Sequence, residues 1–262
     1  MQAFAYQTPA SVADAVKAAG ASNVKLLAGG QSLLGAIKLG LAAPDALIDL
    51  GTVTGLAGIR REGDNIVIGA TTTHATVAES AEVRSAIPAL AALAGGIGDR
   101  AVRNRGTIGG SLANNDPAAC YPSAVLGLGA TVHTDRRAIA ADDFFLGMYQ
   151  TALAEDEIIV SVSFPIPAKA AYQKFRQPAS RFSLVGVFLS KGPQGVRVAV
   201  TGAAPGVFRA TAIEAALSAD WSPAAAQAVK VSAEGLNTDL HGSAEYRAAL
   251  IPVLAARAVA AA

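Results

Sequence analysis

Two hydrophobic rhythms alternate along the chain. From Ser11 to Ala19 apolar residues recur at helical spacing between a serine cap and Gly20, which predicts a first helix. Val24 to Ala28 and "ALIDL" at 46–50 are short apolar runs and predict buried strands. Between them, "QSLLGAIKLGLAAP" reads as a helical or irregular segment closed by Pro44. "REGDN" is a hairpin-like turn leading into a strand through "IVIGATTTHATV". Val77 to Gly95 holds helix material, with "IPALAALAGG" opening on a proline and closing on a glycine pair. "AVLGLGATVHT" predicts a helix or buried segment running into a strand.

Pro165 and Pro167 in "SVSFPIPAKA" interrupt the strand signal and predict a domain boundary. Beyond it, "AYQKF", "SLVGVFLS" and "VRVAVTGA" alternate as a small antiparallel sheet, and helical segments follow from Thr211. "GSAEYRAALIPVLAARAVAAA" predicts a terminal helix capped by Ser243, with Glu245 near its first turn and Arg257 in its last turns. The expected organisation is α+β: residues 1–165 in two lobes, about 1–52 and 53–165, then 166–262 as a C-terminal domain. No low-complexity linker or internal repeat interrupts it.

Composition narrows the function classes. A chain of 262 residues can bury a sizeable core, so a cofactor site is within reach. Its formal charge is +1 with no lysine or arginine block, which argues against nucleic acid. No apolar run approaches the roughly 20 residues that span a bilayer. "MQAFAYQTPASVADAV" lacks the basic start and apolar core of a secretory signal, so a cytoplasmic location is expected. The single cysteine, Cys120, excludes an internal disulfide and any iron–sulfur cluster held by this chain's cysteines. His74, His133 and His241 are scattered without metal-ligand spacing, and no metal site is expected.

The candidate chemistry lies in two glycine loops, "LLAGGQSLL" at 26–34 and "TIGGSLANNDPAAC" at 107–120. Glycine permits positive φ and close approach, so successive N–H groups can converge on an anion. The hydroxyls of Ser32, Thr107 and Ser111 would add uncharged donors, and two facing loops would clamp a pyrophosphate. The plainer reading is a pair of tight turns. Arg100, Arg103 and Arg105 precede the second loop as phosphate counter-charges, partner contacts or simply solvated residues. "GGIGDRA" has the spacing of a variant dinucleotide fingerprint but follows a helical segment instead of a strand, so a Rossmann site is rejected. No GxxxxGK[ST] supports a P-loop.

With these loops in place, the chain resembles, over nearly its whole length, the FAD-binding medium subunit of the molybdenum hydroxylases, the group containing aerobic carbon monoxide dehydrogenase and xanthine dehydrogenase. "AGGQSLL" is similar to the first flavin loop of that family and "GTIGGSLANNDPAA" to the second; "ASRFSLVGVF" and "LHGSAEYR" are similar to motifs of its C-terminal domain. The resemblance implies a two-lobed FAD-binding domain of the vanillyl-alcohol-oxidase type followed by a small C-terminal α+β domain. It implies that Ala28, Gly29, Gly30, Gln31 and Ser32, flanked by Leu27 and Leu33, form one pyrophosphate loop, and Thr107, Ile108, Gly109, Gly110 and Ser111 the other. By gapped placement, Ile97 and Ile159 fall near the adenine and Lys174 near a lysine that some members use. Cys120 stands where the family usually has an aspartate contacting the flavin chain, so a hydrogen bond worth about 1–3 kcal/mol is at stake unless Asp116 or a water compensates. Gln31 cannot form the histidyl link that some relatives of this fold make, so FAD is expected to be noncovalent.

The function implied is an electron-transfer flavoprotein subunit, an oxidoreductase component with no catalytic residue of its own. A molybdenum-cofactor large subunit would oxidise substrate, a small subunit with [2Fe-2S] clusters would relay electrons to FAD, and an external acceptor would take them. The expected assembly is a heterotrimer or a dimer of heterotrimers. Two alternatives stand beside it: a stand-alone flavin oxidase or reductase, with Ser183 or His74 as its acid or base, and an apo scaffold subunit.

Overall fold

The computed structural model describes residues 3–262. The first layer contains β1 (Ala5–Gln7), α1 (Val12–Ala19), β2 (Val24–Leu27), α2 (Leu33–Lys38) and β3 (Ala46–Asp49). Its strands form a parallel sheet in the order β1-β3-β2. Ser11 caps α1 as its sequence predicts, accepting from the Asp14 N–H at 3.1 Å.

The second layer opens with the hairpin β4 (Ile59–Glu62) and β5 (Asn65–Gly69). A run of short helices follows: α3 (His74–Glu79), α4 (Ala81–Ala86), α5 (Pro88–Gly95), α6 (Arg100–Arg105), α7 (Ile108–Asn114) and α8 (Tyr121–Leu128). Then come β6 (Thr131–Thr134), β7 (Ala138–Ala140), α9 (Ala141–Phe144), the hairpin β8 (Phe145–Gly147) and β9 (Gln150–Thr151), and β10 (Ile159–Pro165). The main sheet has the order β4-β5-β10-β6-β7, so its central strand is the last to be made. The predicted strand through "IVIGATTTHATV" ends at Gly69. Thr73 turns the chain into α3 by accepting from the Thr76 N–H, a local hydroxyl cap that outweighs the β-branched composition. "GGIGDRA" does follow a helix, α5.

The third layer is the antiparallel sheet β11 (Lys169–Arg176), β12 (Ser183–Gly192), β13 (Gly195–Thr201) and β14 (Phe208–Arg209). It is covered by α10 (Thr211–Ala219), α11 (Pro223–Gln227) and α12 (Ala244–Ala261), the last capped by Ser243. Val185, Val187, Val198 and Val200 on this sheet pack with Ile213, Leu217, Ile251 and Leu254 in one buried cluster. At about 25 cal/mol per Å2 of apolar surface, such burial is what holds the helices to the sheet.

Polar ties fix the third layer to the second. Arg197 is 5% exposed and grips Asp142 with two bonds of 2.7 and 2.8 Å while donating to the Leu126 carbonyl. Thr201 Oγ1 donates to the carbonyls of Ala119 and Pro117, and the Gly202 N–H also donates to Pro117. These bonds end on the stretch just after α7. The second glycine loop therefore continues into a turn clamped from the other side by β13.

Candidate cofactor site

The two glycine loops meet backbone to backbone. A Cβ placed on Gly29 would lie 2.7 Å from the Arg105 carbonyl carbon and 2.7 Å from Gly106 Cα, and one on Gly110 would face the Ala28 methyl at 3.7 Å. Among the four loop glycines, only Gly30 has a positive φ, +71°. Gly29 and Gly109 are required instead by close approach, Gly109 against the backbone of Ala70.

The first loop is chemically open. Among the described residues, the N–H groups of Gly29, Gly30, Gln31 and Ser32 donate to no protein acceptor. The Ser32 hydroxyl makes no cap bond to α2, and the Gln31 side chain folds back onto the Gly29 carbonyl at 3.4 Å. Leu27 and Leu33 sit beneath the loop, their side chains in an apolar cluster with Ile37 and Leu47. They anchor the turn while its N–H groups remain available to an anion.

The second loop differs from the sequence expectation. It is the first turn of α7, and its N–H groups are already used: Ile108 donates to Thr72, Gly109 to Ala70, Gly110 to the Thr107 hydroxyl and Ser111 to the Thr107 carbonyl. Two converging nests are therefore replaced by one open nest and one rigid, hydrogen-bonded wall. The physical reason is the Thr107 cap together with the 70–74 segment, which takes up the donors that a helix start otherwise leaves free. Ser111, half-buried, keeps its hydroxyl unengaged among the described residues, while Thr107 is nearly covered.

The downstream residues form a second group. Cys120 is 5% exposed, and its Sγ lies 3.4 Å from Lys174 Nζ and 3.5 Å from Ser183 Oγ. Lys174 also donates to the Gly96 carbonyl, next to Ile97. Tyr172 hydrogen-bonds Ser183, and burial holds its phenol above the ordinary tyrosine range. The structure thus brings Lys174 of β11 to Cys120 and to the Gly96–Ile97 turn. Arg103 braces that same turn by donating to the carbonyls of Ile97 and Gly98, whereas Arg100 and Arg105 are exposed.

Two predicted residues have structural employment instead. Ile159 is 5% exposed, in β10 within the central apolar cluster. Asp116 accepts from the Ala118 N–H and from Tyr149 Oη, so its carboxylate ties the turn to the β8–β9 hairpin. Ser183 and His74 are 3% and 6% exposed. Tyr172 and residues 70–73 join the site without any part in the sequence expectation, which reached only His74 of that segment. The threonine run "TTTH" before a helix was the one available signal for the segment, and nothing local marks Tyr172.

Comparison with known proteins gives the family. Residues 2–167 match the family model described as the FAD binding domain in molybdopterin dehydrogenase, and residues 170–262 match the CO dehydrogenase flavoprotein C-terminal domain. The chain is 39% identical over 274 residues to the nicotine 6-hydroxylase medium subunit of Paenarthrobacter nicotinovorans, covering 99% of this chain and 97% of that one. It is 36% identical to the carbon monoxide dehydrogenase medium chain of Hydrogenophaga pseudoflava, covering 99% and 96%. Among solved structures, it superposes on a chain of carbon monoxide dehydrogenase from Hydrogenophaga pseudoflava with a TM-score of 0.88 at 37% identity, covering 100% and 97%. Quinoline 2-oxidoreductase from Pseudomonas putida 86 gives 0.90 at 30% identity, covering 100% and 97%.

Proposed function

The chain belongs to the FAD-binding medium subunits of the molybdenum hydroxylases, and from that premise we propose that it carries electrons from the [2Fe-2S] clusters of a partner subunit, through FAD, to an external acceptor. The observation that carries this reading is the open first loop, four N–H groups without acceptors among the described residues, beside a hydrogen-bonded second loop. Such a loop suits a pyrophosphate, and Gly29 to Ser32 would hold it from one side. Ser111 would add a hydroxyl from the other side, and Lys174 a cation near the Cys120 position. When bound, FAD supplies the conversion between two-electron and one-electron transfer, while this chain supplies position and electrostatics.

The division of labour follows from the same residues. With one buried cysteine, the chain has no ligand set for a cluster, which supports placing the clusters in a small subunit and the molybdenum cofactor in a large one. Medium subunits named for nicotine 6-hydroxylase and carbon monoxide dehydrogenase are consistent with such complexes. We read the assembly as a heterotrimer or a dimer of heterotrimers. FAD is held noncovalently in this reading, because Gln31 offers no nucleophile for a flavin bond. A division between domains near residue 165 is supported by family matches that end at 167 and resume at 170. The stand-alone enzyme is disfavoured because Ser183 and His74 are both covered.

The test is rapid mixing of the intact complex with its reducing substrate under anaerobic conditions. The reading expects cluster absorbance to bleach before the flavin, and stripping FAD to leave cluster reduction intact while abolishing acceptor reduction. Direct reduction of flavin by substrate in this chain alone would overturn it in favour of the stand-alone enzyme.

A further inference from the structure

The 70–74 segment is the scaffold of the second loop, and it ends in His74. Thr73 and Thr107 form an isolated antiparallel bridge, the His74 N–H donates to the Gly106 carbonyl at 2.9 Å, and Thr72 and Ala70 accept from Ile108 and Gly109. The segment is itself fixed, since the Thr72 hydroxyl bonds both the N–H and the carbonyl of Gly58. From this zipper the His74 ring reaches two places at once. Its Nε2 occupies the space over Gly106, 2.5 Å from where a Cβ would stand. Its other side packs on Tyr121 of α8, centroids 5.3 Å apart at 50°. Tyr121 is fully buried and adjoins Cys120.

We propose that His74 is a positioning residue for FAD: its ring is the spacer that sets the second glycine loop, at Gly106 to Ser111, against the start of α8 that carries Cys120. This rests on the cofactor reading above. The charged and titratable groups facing the ring are Arg103 from α6 and Tyr121 from α8. Burial and the Arg103 charge lower the imidazole pKa to about 4, so the spacer is neutral at physiological pH. Neither its Nδ1 nor the Tyr121 hydroxyl has a hydrogen-bond partner among the described residues. An apolar ring of similar size can therefore replace it without losing a bond, whereas removal of the ring leaves the two segments unspaced.

The experiment is titration of the full chain, freed of flavin, with FAD, followed by flavin fluorescence and by the rise in melting temperature that FAD produces. His74→Ala should weaken FAD at least about tenfold and shrink that rise, and His74→Phe should stay within about threefold of wild type. Gly106→Ala, which forces a methyl against Nε2, should weaken FAD in the presence of the native histidine and less so when combined with His74→Ala. His74→Ala with wild-type affinity, or His74→Phe as impaired as His74→Ala, overturns the proposal. If His74→Ala does not fold, Gly106→Ala with wild-type affinity overturns it. A wild-type chain that takes up no FAD sinks the cofactor reading and this inference together, whereas one that binds FAD with variants indistinguishable from it sinks only this inference.

Discussion

Replacing Gly29 by alanine tests the seam between the loops. The new methyl would lie 2.7 Å from the Arg105 carbonyl carbon and from Gly106 Cα, where ordinary van der Waals contact begins at 3.4 Å. The Arg105 carbonyl oxygen is nearer still, so the loops must part by at least about 0.7 Å, and because all three obstacles are backbone, no rotamer change relieves them. Overpacking of this kind costs about 1–3 kcal/mol of stability. An N–H···O bond of about 2.9 Å stretched by the same 0.7 Å reaches about 3.6 Å and ceases to act as one. Loss of one charge-assisted bond to phosphate, about 1.5–3 kcal/mol, would weaken FAD by about ten- to a hundredfold. Urea unfolding of the apo chain and fluorescence titration with FAD measure the two effects. Gly35→Ala is the control: it lies within α2 with nothing within 4 Å of the new methyl, so it should stabilise by about 0.5–1 kcal/mol and leave FAD untouched. Gly29→Ala with a wild-type urea midpoint and wild-type affinity would refute the packed seam.

Further predictions follow from the buried polar groups. His74 has a folded pKa of about 4 against 6.5 unfolded, so the unfolded chain binds the proton first, and stability should fall as pH drops from about 6.5 to 4, by up to about 3 kcal/mol; His74→Phe should flatten that part of a urea-midpoint profile. Arg247 is 3% exposed and donates to the carbonyls of Leu184 and Gly202 and to both Asp239 oxygens, so Arg247→Ala should cost about 3–5 kcal/mol in urea unfolding. Cys120→Asp would set a carboxylate beside Lys174 Nζ, now 3.4 Å from the sulfur, and should tighten FAD by about tenfold in a fluorescence titration. In the native chain the Cys120 thiol should react with thiol reagents only on unfolding, as timed by dithionitrobenzoate with and without urea.

Local chemistry made much of the fold legible. The Ser11 and Ser243 caps, the Pro88 opening of α5 and the alternating strands of the third sheet are all short-range signals, and each element formed where they stand. What stayed hidden was non-local. β10 completes the central sheet between β5 and β6, partners nearly a hundred and about thirty residues earlier in the chain, and no sequence period encodes that pairing. The glycine pairs stand where backbone segments approach closely, but their donors could not be counted from sequence. Thr107, legible as a hydroxyl donor, is a helix cap, and the carbonyls of Ala70 and Thr72 that absorb two further N–H groups lie nearly forty residues away. The meeting of Lys174 with Cys120 likewise depends on β11 lying against α5 while α8 packs on β12 and β13.

The most direct test of the central claim is the absorption spectrum of this chain purified with its natural partners, followed by acid precipitation and assay of the supernatant. The account predicts a yellow supernatant that carries FAD, about one per chain. A supernatant without flavin, or flavin that stays with the precipitated protein, would contradict it.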